Sequence, residues 1–191
     1  MKQSGYTLIE LVVALAISAV LLALALPRYD SYEQHINLRN EAQKLANCMQ
    51  AANSVIMAPA PIPDSSPAIA KVFVALTTTN GSIGCSYQPK DATSKNILTP
   101  VTGQSATAYF CSFVYGTSSN IGSSPSYSLS QLNRGQIDQI TYGGVSMGSG
   151  NGQGQSFSLQ ISADSTATAT NCNDPVVISV SALGSPIVIS S

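Results

Sequence analysis

Hydrophobic and polar positions change their period twice along this chain. From Leu11 to Leu26 no residue is charged and Ser18 is the only polar one. Counted from Thr7, the run has 20 residues, and as a helix it rises about 30 Å, the thickness of a bilayer core. Only Glu10 interrupts it. From Arg28 to Met57 the apolar positions become periodic: Leu38, Ala42, Leu45, Met49, Ala52 and Ile56 recur at spacings of four and three. That is one stripe on the face of a helix, with Asn40, Glu41, Gln43, Lys44 and Asn47 lying off it. The stripe predicts a face that covers a globular domain. Tyr29, Tyr32 and Ile36 form a second, shorter stripe, suited to neighbouring chains. Pro27 stands between the two regimes and predicts a kink or a local melt, because proline lacks an N–H. Pro59, Pro61 and Pro63 end the helical pattern near Ala58.

Beyond Pro67 the period falls to two. Val72–Thr79 and Ser82–Tyr87 flank Asn80-Gly81, a hairpin signal. Further strands are predicted at 106–115, 126–132, 136–142, 156–162, 176–181 and 187–190, each rich in Val, Ile, Phe, Tyr or Thr. Gly143–Gly154 predicts a glycine-rich surface loop. It lacks a GxGxxG string and a following Lys-Ser/Thr, so it does not suit phosphate. The expected fold class is α+β, a long N-terminal helix on a mostly antiparallel β domain. The expected boundaries are a leader at 1–5, a transmembrane helix at 6–26, an amphipathic helix at 27–58, a Pro-rich linker at 59–70 and a β-rich domain at 71–191.

Composition narrows the class. Only 9% of residues are charged, well below the roughly one quarter usual for soluble domains, while 44% are apolar. The formal net charge is −1, so the whole chain carries no nucleic-acid footprint. Cys48, Cys85, Cys111 and Cys172 are dispersed, without a CxxC pair, and His35 is the single histidine. That spacing does not suit zinc and no metal is expected. Behind a membrane-targeting segment, four cysteines read as two disulfides, with three pairings open and four free thiols as the plain alternative.

Three readings compete for the N-terminus. A secretory signal peptide would use Lys2 as its basic region and Ala23-Leu24-Ala25 as its cleavage site, giving a secreted β protein that starts at Leu26. A plain anchor is the second, and a prepilin the third. Glu10 separates them. A carboxylate inside an apolar run costs on the order of 2 to 3 kcal/mol, less near the membrane edge, and neither a signal peptide nor a plain anchor has a use for it.

The string Gly5-Tyr6-Thr7-Leu8-Ile9-Glu10-Leu11 resembles the processing motif of type IV pilins and type II secretion pseudopilins, where Gly-Phe-Thr-Leu-Ile-Glu-Leu is usual. It departs at Tyr6, which keeps the aromatic ring. The resemblance implies that a prepilin peptidase cuts after Gly5 and methylates the new amine of Tyr6. It also implies a lollipop shape, an inner-membrane stage with the N-terminus in the cytoplasm, and an extracellular or periplasmic filament built with other pilin subunits on an inner-membrane assembly platform. Residues around Val177-Ile178-Ser179 and Leu183-Gly184 more loosely resemble the pseudopilin H and FimT-like minor pilin group. The spacing adds a physical expectation: Glu10 and the Tyr6 amine, one helical turn apart, are each left without a counter-charge in an apolar layer. Each needs an opposite charge from a neighbouring subunit.

Other chemistry is sparse. No nucleophile–histidine–carboxylate set forms around His35, so no catalysis and no cofactor are expected. Asp164 and Asp174 flank a Thr-rich loop that holds Cys172, too thin a set for calcium. Lys71, Lys90, Lys95 and Arg134 are the cations of the β domain, so nucleic-acid binding at a filament tip is the weaker alternative, beside adhesion.

Overall fold

The computed structural model describes residues 7–58, 68–79, 82–98, 100–102, 108–115, 118–120, 125–142, 145–147, 154–164 and 171–190, some of them, including 25–31, in backbone alone. The chain divides into two compact units, Met1–Asn37 and Leu38–Ser191. One helix, α1 (Leu8–Met57), supplies the described part of the first unit and the opening of the second. Its backbone is helical through Pro27, so the expected local melt does not occur there.

In the second unit the helical stripe does what its spacing predicts. Leu38, Ala42, Leu45, Met49, Ala52 and Ile56 are 0–4% exposed and sit in the core. They pack with the inward faces of two antiparallel sheets. The first sheet holds β1 (Lys71–Thr79), β2 (Ser82–Lys90), β3 (Val101–Thr102), β6 (Ser126–Ser130), β7 (Gln136–Tyr142) and β8 (Val145–Met147), in the order β3-β2-β1-β6-β7-β8. The second holds β4 (Tyr109–Tyr115), β5 (Ser118–Asn120), β9 (Phe157–Ser162), β10 (Val176–Val180) and β11 (Pro186–Ser190), in the order β11-β10-β9-β4-β5. All pairings are antiparallel, as the α+β expectation requires.

Alternation follows the pleat in most strands. Val72, Val74 and Leu76 point inward from β1, and Val176, Ile178 and Val180 from β10. Thr79 pairs with Ser82, which leaves a two-residue connection at Asn80-Gly81, themselves outside the described residues. The glycine-rich loop expectation is corrected in part: Val145–Met147 forms β8 on β7, and Gln139 Nε2 donates to Ser146 Oγ across that pair. The strand expected at 126–132 stops at Ser130, because Gln131–Gly135 turns back with positive φ at Arg134 and Gly135.

Two bulges break the alternation. In β4, Phe110 pairs with Ile161 and Ser112 with Gln160, so Cys111 is the extra residue. Cys111, Ser112 and Phe113 are then buried in succession, and the Ser112 hydroxyl donates to Gln160 Oε1 at 2.9 Å. In β7, Leu129 and Ser128 of the neighbouring strand pair with Ile137 and Gln139, leaving Asp138 extra. Its carboxylate accepts from Lys71 Nζ at 2.7 Å, reaching across β6.

All four cysteines are paired. Cys48 on α1 bonds Cys85 on β2, with Cα atoms 6.3 Å apart, and so ties the helix to the first sheet. The bulged Cys111 bonds Cys172 in the segment before β10, with Cα atoms 5.8 Å apart. At one end of the unit the helix meets two turns. Asn53 Nδ2 donates to the Leu183 carbonyl at 3.1 Å, and Gly135 lies against the side chains of Asn53 and Met57. Gly184, at φ 68°, leaves no room for a Cβ because Leu129 Cδ2 occupies the position. The Ile137 N–H donates to the Ala182 carbonyl at 2.9 Å, joining the two sheets at that corner.

Candidate processing and assembly site

The site residues sit at the start of α1. The Thr7 carbonyl accepts from the N–H groups of Glu10 (3.1 Å) and Leu11 (3.3 Å), which makes Thr7 the N-cap and Glu10 the third helical residue. Thr7-x-x-Glu10 is therefore also a capping-box spacing, a local signal that reading Glu10 only as a stranded charge misses. A carboxylate in the first turn is stabilised by the positive end of the helix dipole. Beyond that, the Glu10 side chain is exposed and has no ion-pair or hydrogen-bond partner among the described residues. Leu8, Ile9, Leu11, Val12 and Val13 surround it, all exposed. Gly5 and Tyr6 lie outside the described residues, as does the Pro27 side chain.

The exposed apolar positions run on through Leu15, Ile17, Val20, Leu21, Leu22 and Leu24. Ser18, the one polar residue among them, donates its hydroxyl back to the Ala14 carbonyl at 2.8 Å and so satisfies it within the helix. Among the described residues no helix is long and apolar enough to cross a membrane.

The remaining candidates lie in the second unit. The register places Lys71 opposite Lys90, so β pairing brings together two cations that the sequence separates. Lys71 is engaged by Asp138, and Lys90 Nζ lies 4.8 Å from the centre of the Phe73 ring. The Lys95 N–H donates to Asp91 Oδ1 at 2.8 Å within a tight loop. The Thr93 hydroxyl, then the Lys95 N–H, hold the Asp91 carboxyl below its ordinary range. Asp164 and Asp174 lie on either side of Cys172. The Asp164 N–H donates to Ser162 Oγ at 3.1 Å, and Asp174 takes a positive φ of 47°. No group of three or more His, Cys, Asp or Glu among the described residues is arranged to hold a metal ion.

Residues 1–26 match the family model of the prokaryotic N-terminal methylation motif. This is the prepilin motif of type IV pilins and pseudopilins. The chain thus carries the signal processed by prepilin peptidase, and the motif indicates a structural subunit. No curated protein and no solved structure matches the chain.

Proposed function

We propose that the protein is a subunit (a pilin, minor pilin or pseudopilin) of a type IV pilus-like filament. Prepilin peptidase cuts after Gly5 and methylates the Tyr6 amine. The mature chain waits in the bacterial inner membrane as a single-pass protein and is then drawn, by a separate assembly platform, into a filament outside that membrane. Pro27 lies where the apolar run meets the amphipathic one, so any bend needed between them has its natural place there.

The observation that carries this reading is Glu10: a carboxylate one turn into an apolar helix, exposed, without a counter-charge among the described residues. A membrane protein keeps such a group for a partner. Processing creates a positive amine at Tyr6, and a neighbour's Glu10 is its complement. Slippage by one helical turn, about 5.4 Å, unpairs both charges, so the pair sets axial register between subunits. Two measurements test the proposal. The mature protein should begin at Tyr6 and carry one added methyl group by mass spectrometry; a start at Met1 or Leu26 removes the basis of the reading. Glu10→Ala should leave processing intact and abolish incorporation into filaments, whereas normal incorporation overturns the assembly role.

A further inference from the structure

Among the described residues the sheets end in four edge strands, and only one exceeds three residues. β3 has two residues, and β5 and β8 have three each; β11 has five. Folded proteins protect an edge by keeping it short, charging it or covering it. None of the five strands of the second sheet contains a charged residue, and β11 reads Pro186-Ile187-Val188-Ile189-Ser190. Ile187 is 61% exposed and Ile189 is 49% exposed.

The register shows which backbone groups this edge offers. The Ser181 N–H donates to the Ser185 carbonyl at 3.0 Å, which makes that pair a hydrogen-bonded one. Alternation then makes 179↔187 and 177↔189 hydrogen-bonded pairs, and 180↔186, 178↔188 and 176↔190 non-hydrogen-bonded pairs. Ile187 and Ile189 therefore spend their backbone groups on β10. Pro186, Val188 and Ser190 turn theirs outward, which is also where a proline without an N–H is tolerated. The outward set is one carbonyl at Pro186, then a donor and an acceptor at Val188 and at Ser190.

That set complements itself under a two-fold axis through Val188. Opposed antiparallel copies place Val188 against Val188 and Pro186 against Ser190. Each Val188 N–H then reaches the other Val188 carbonyl, and each Ser190 N–H reaches a Pro186 carbonyl. The missing proline donor falls at the two ends of the ladder, where it interrupts nothing. On the outward face Ile187 of each copy lies beside Ile189 of the other, in the closer, non-hydrogen-bonded pairing. We propose that two copies of this chain associate through β11 in this register, joining two five-stranded sheets into one. The contact is isologous, unlike the head-to-tail contacts that build a filament. It therefore links unassembled subunits or separate filaments, and it stands or falls independently of the processing signal.

The test uses the full chain, co-expressed as two differently tagged variants, Ile187→Cys and Ile189→Cys. The native cysteines are already paired. Opposed non-hydrogen-bonded positions have Cα atoms about 4.5 Å apart, within disulfide reach, whereas the 187–187 and 189–189 diagonals do not. The mixed pair should form a disulfide-linked dimer about tenfold more abundant than either variant forms alone. Absence of the mixed product, or equal yields from all three combinations, overturns the proposal. In the same background Val188→Pro removes the central donor, which has no partner among the described residues of the single chain, and should abolish the cross-link while circular dichroism stays unchanged. Ile187→Lys, tested for dimer by sedimentation of the detergent-solubilised chain, should likewise lose it. A cross-link that survives Val188→Pro in a folded protein, or a dimer that survives Ile187→Lys, also overturns the pairing.

Discussion

The two halves of α1 are one uninterrupted helix built from similar residues, yet they meet opposite environments. Leu15 is 62% exposed and Leu45 is 0% exposed. In the first half apolar residues lie all around the helix, and every described side chain from Thr7 to Leu24 is exposed. In the second half they keep to one stripe, and that stripe is buried. The difference teaches that apolar content does not decide where a helix goes. A stripe suits a protein core on one side and water on the other, whereas an all-round apolar surface has no wet side to offer and needs lipid or other helices.

Removing what pins the second half breaks this contrast most severely. Cys48→Ala combined with Cys85→Ala frees a 37-residue loop, which the chain-entropy relation values at about 4 kcal/mol. The expected result is a fall of that size in unfolding free energy, read by denaturant titration, with the apolar half unaffected. A pair of single variants comes next. Leu45→Ala should cost about 3 kcal/mol through lost burial and a cavity, while Leu15→Ala should stay within about 0.5 kcal/mol. Equal effects would dissolve the distinction between the halves. Tyr127→Phe sharpens what burial demands of polar atoms. The Tyr127 hydroxyl is buried without a partner among the described residues, and burial pushes its pKa up. Deleting it should leave stability unchanged or raise it by about 1 kcal/mol, and a clear loss would reveal a partner for that oxygen. The smallest effect belongs to the exposed Asp91 loop. Because its folded pKa lies below the ordinary value, its contribution is present above about pH 4 and is lost as pH falls through the folded value. Asp91→Asn should flatten the acid limb of the stability profile and leave neutral pH nearly unchanged.

What was legible in the sequence is what depends on neighbours along the chain. The stripe from Leu38 to Ile56 is a local period, and so is the alternation in β1 and β10. Glu10 stood out because it breaks a run. The rest depends on partners far along the chain. Among the described residues β3, β5 and β8 are two or three residues long, and each pairs with a longer strand beside it. Cys111, Ser112 and Phe113 are buried in a row because a bulge shifts register against β9, and no alternation rule marks that position. The disulfide pairing was open among three choices until α1 lay on β2 and the segment before β10 came to β4. For β11 the sequence predicts only a strand at 187–190. Its consequence appears only when the register shows which way its backbone points.

The two cystine links also set how the subunit responds to tension. The bonded cysteines stand 37 and 61 positions apart, and neither segment can be drawn out while its bond holds. Together they withhold roughly 330 Å of contour from a pulling force. The folded chain therefore bears load with little slack, and a reducing medium turns the same chain into an extensible one.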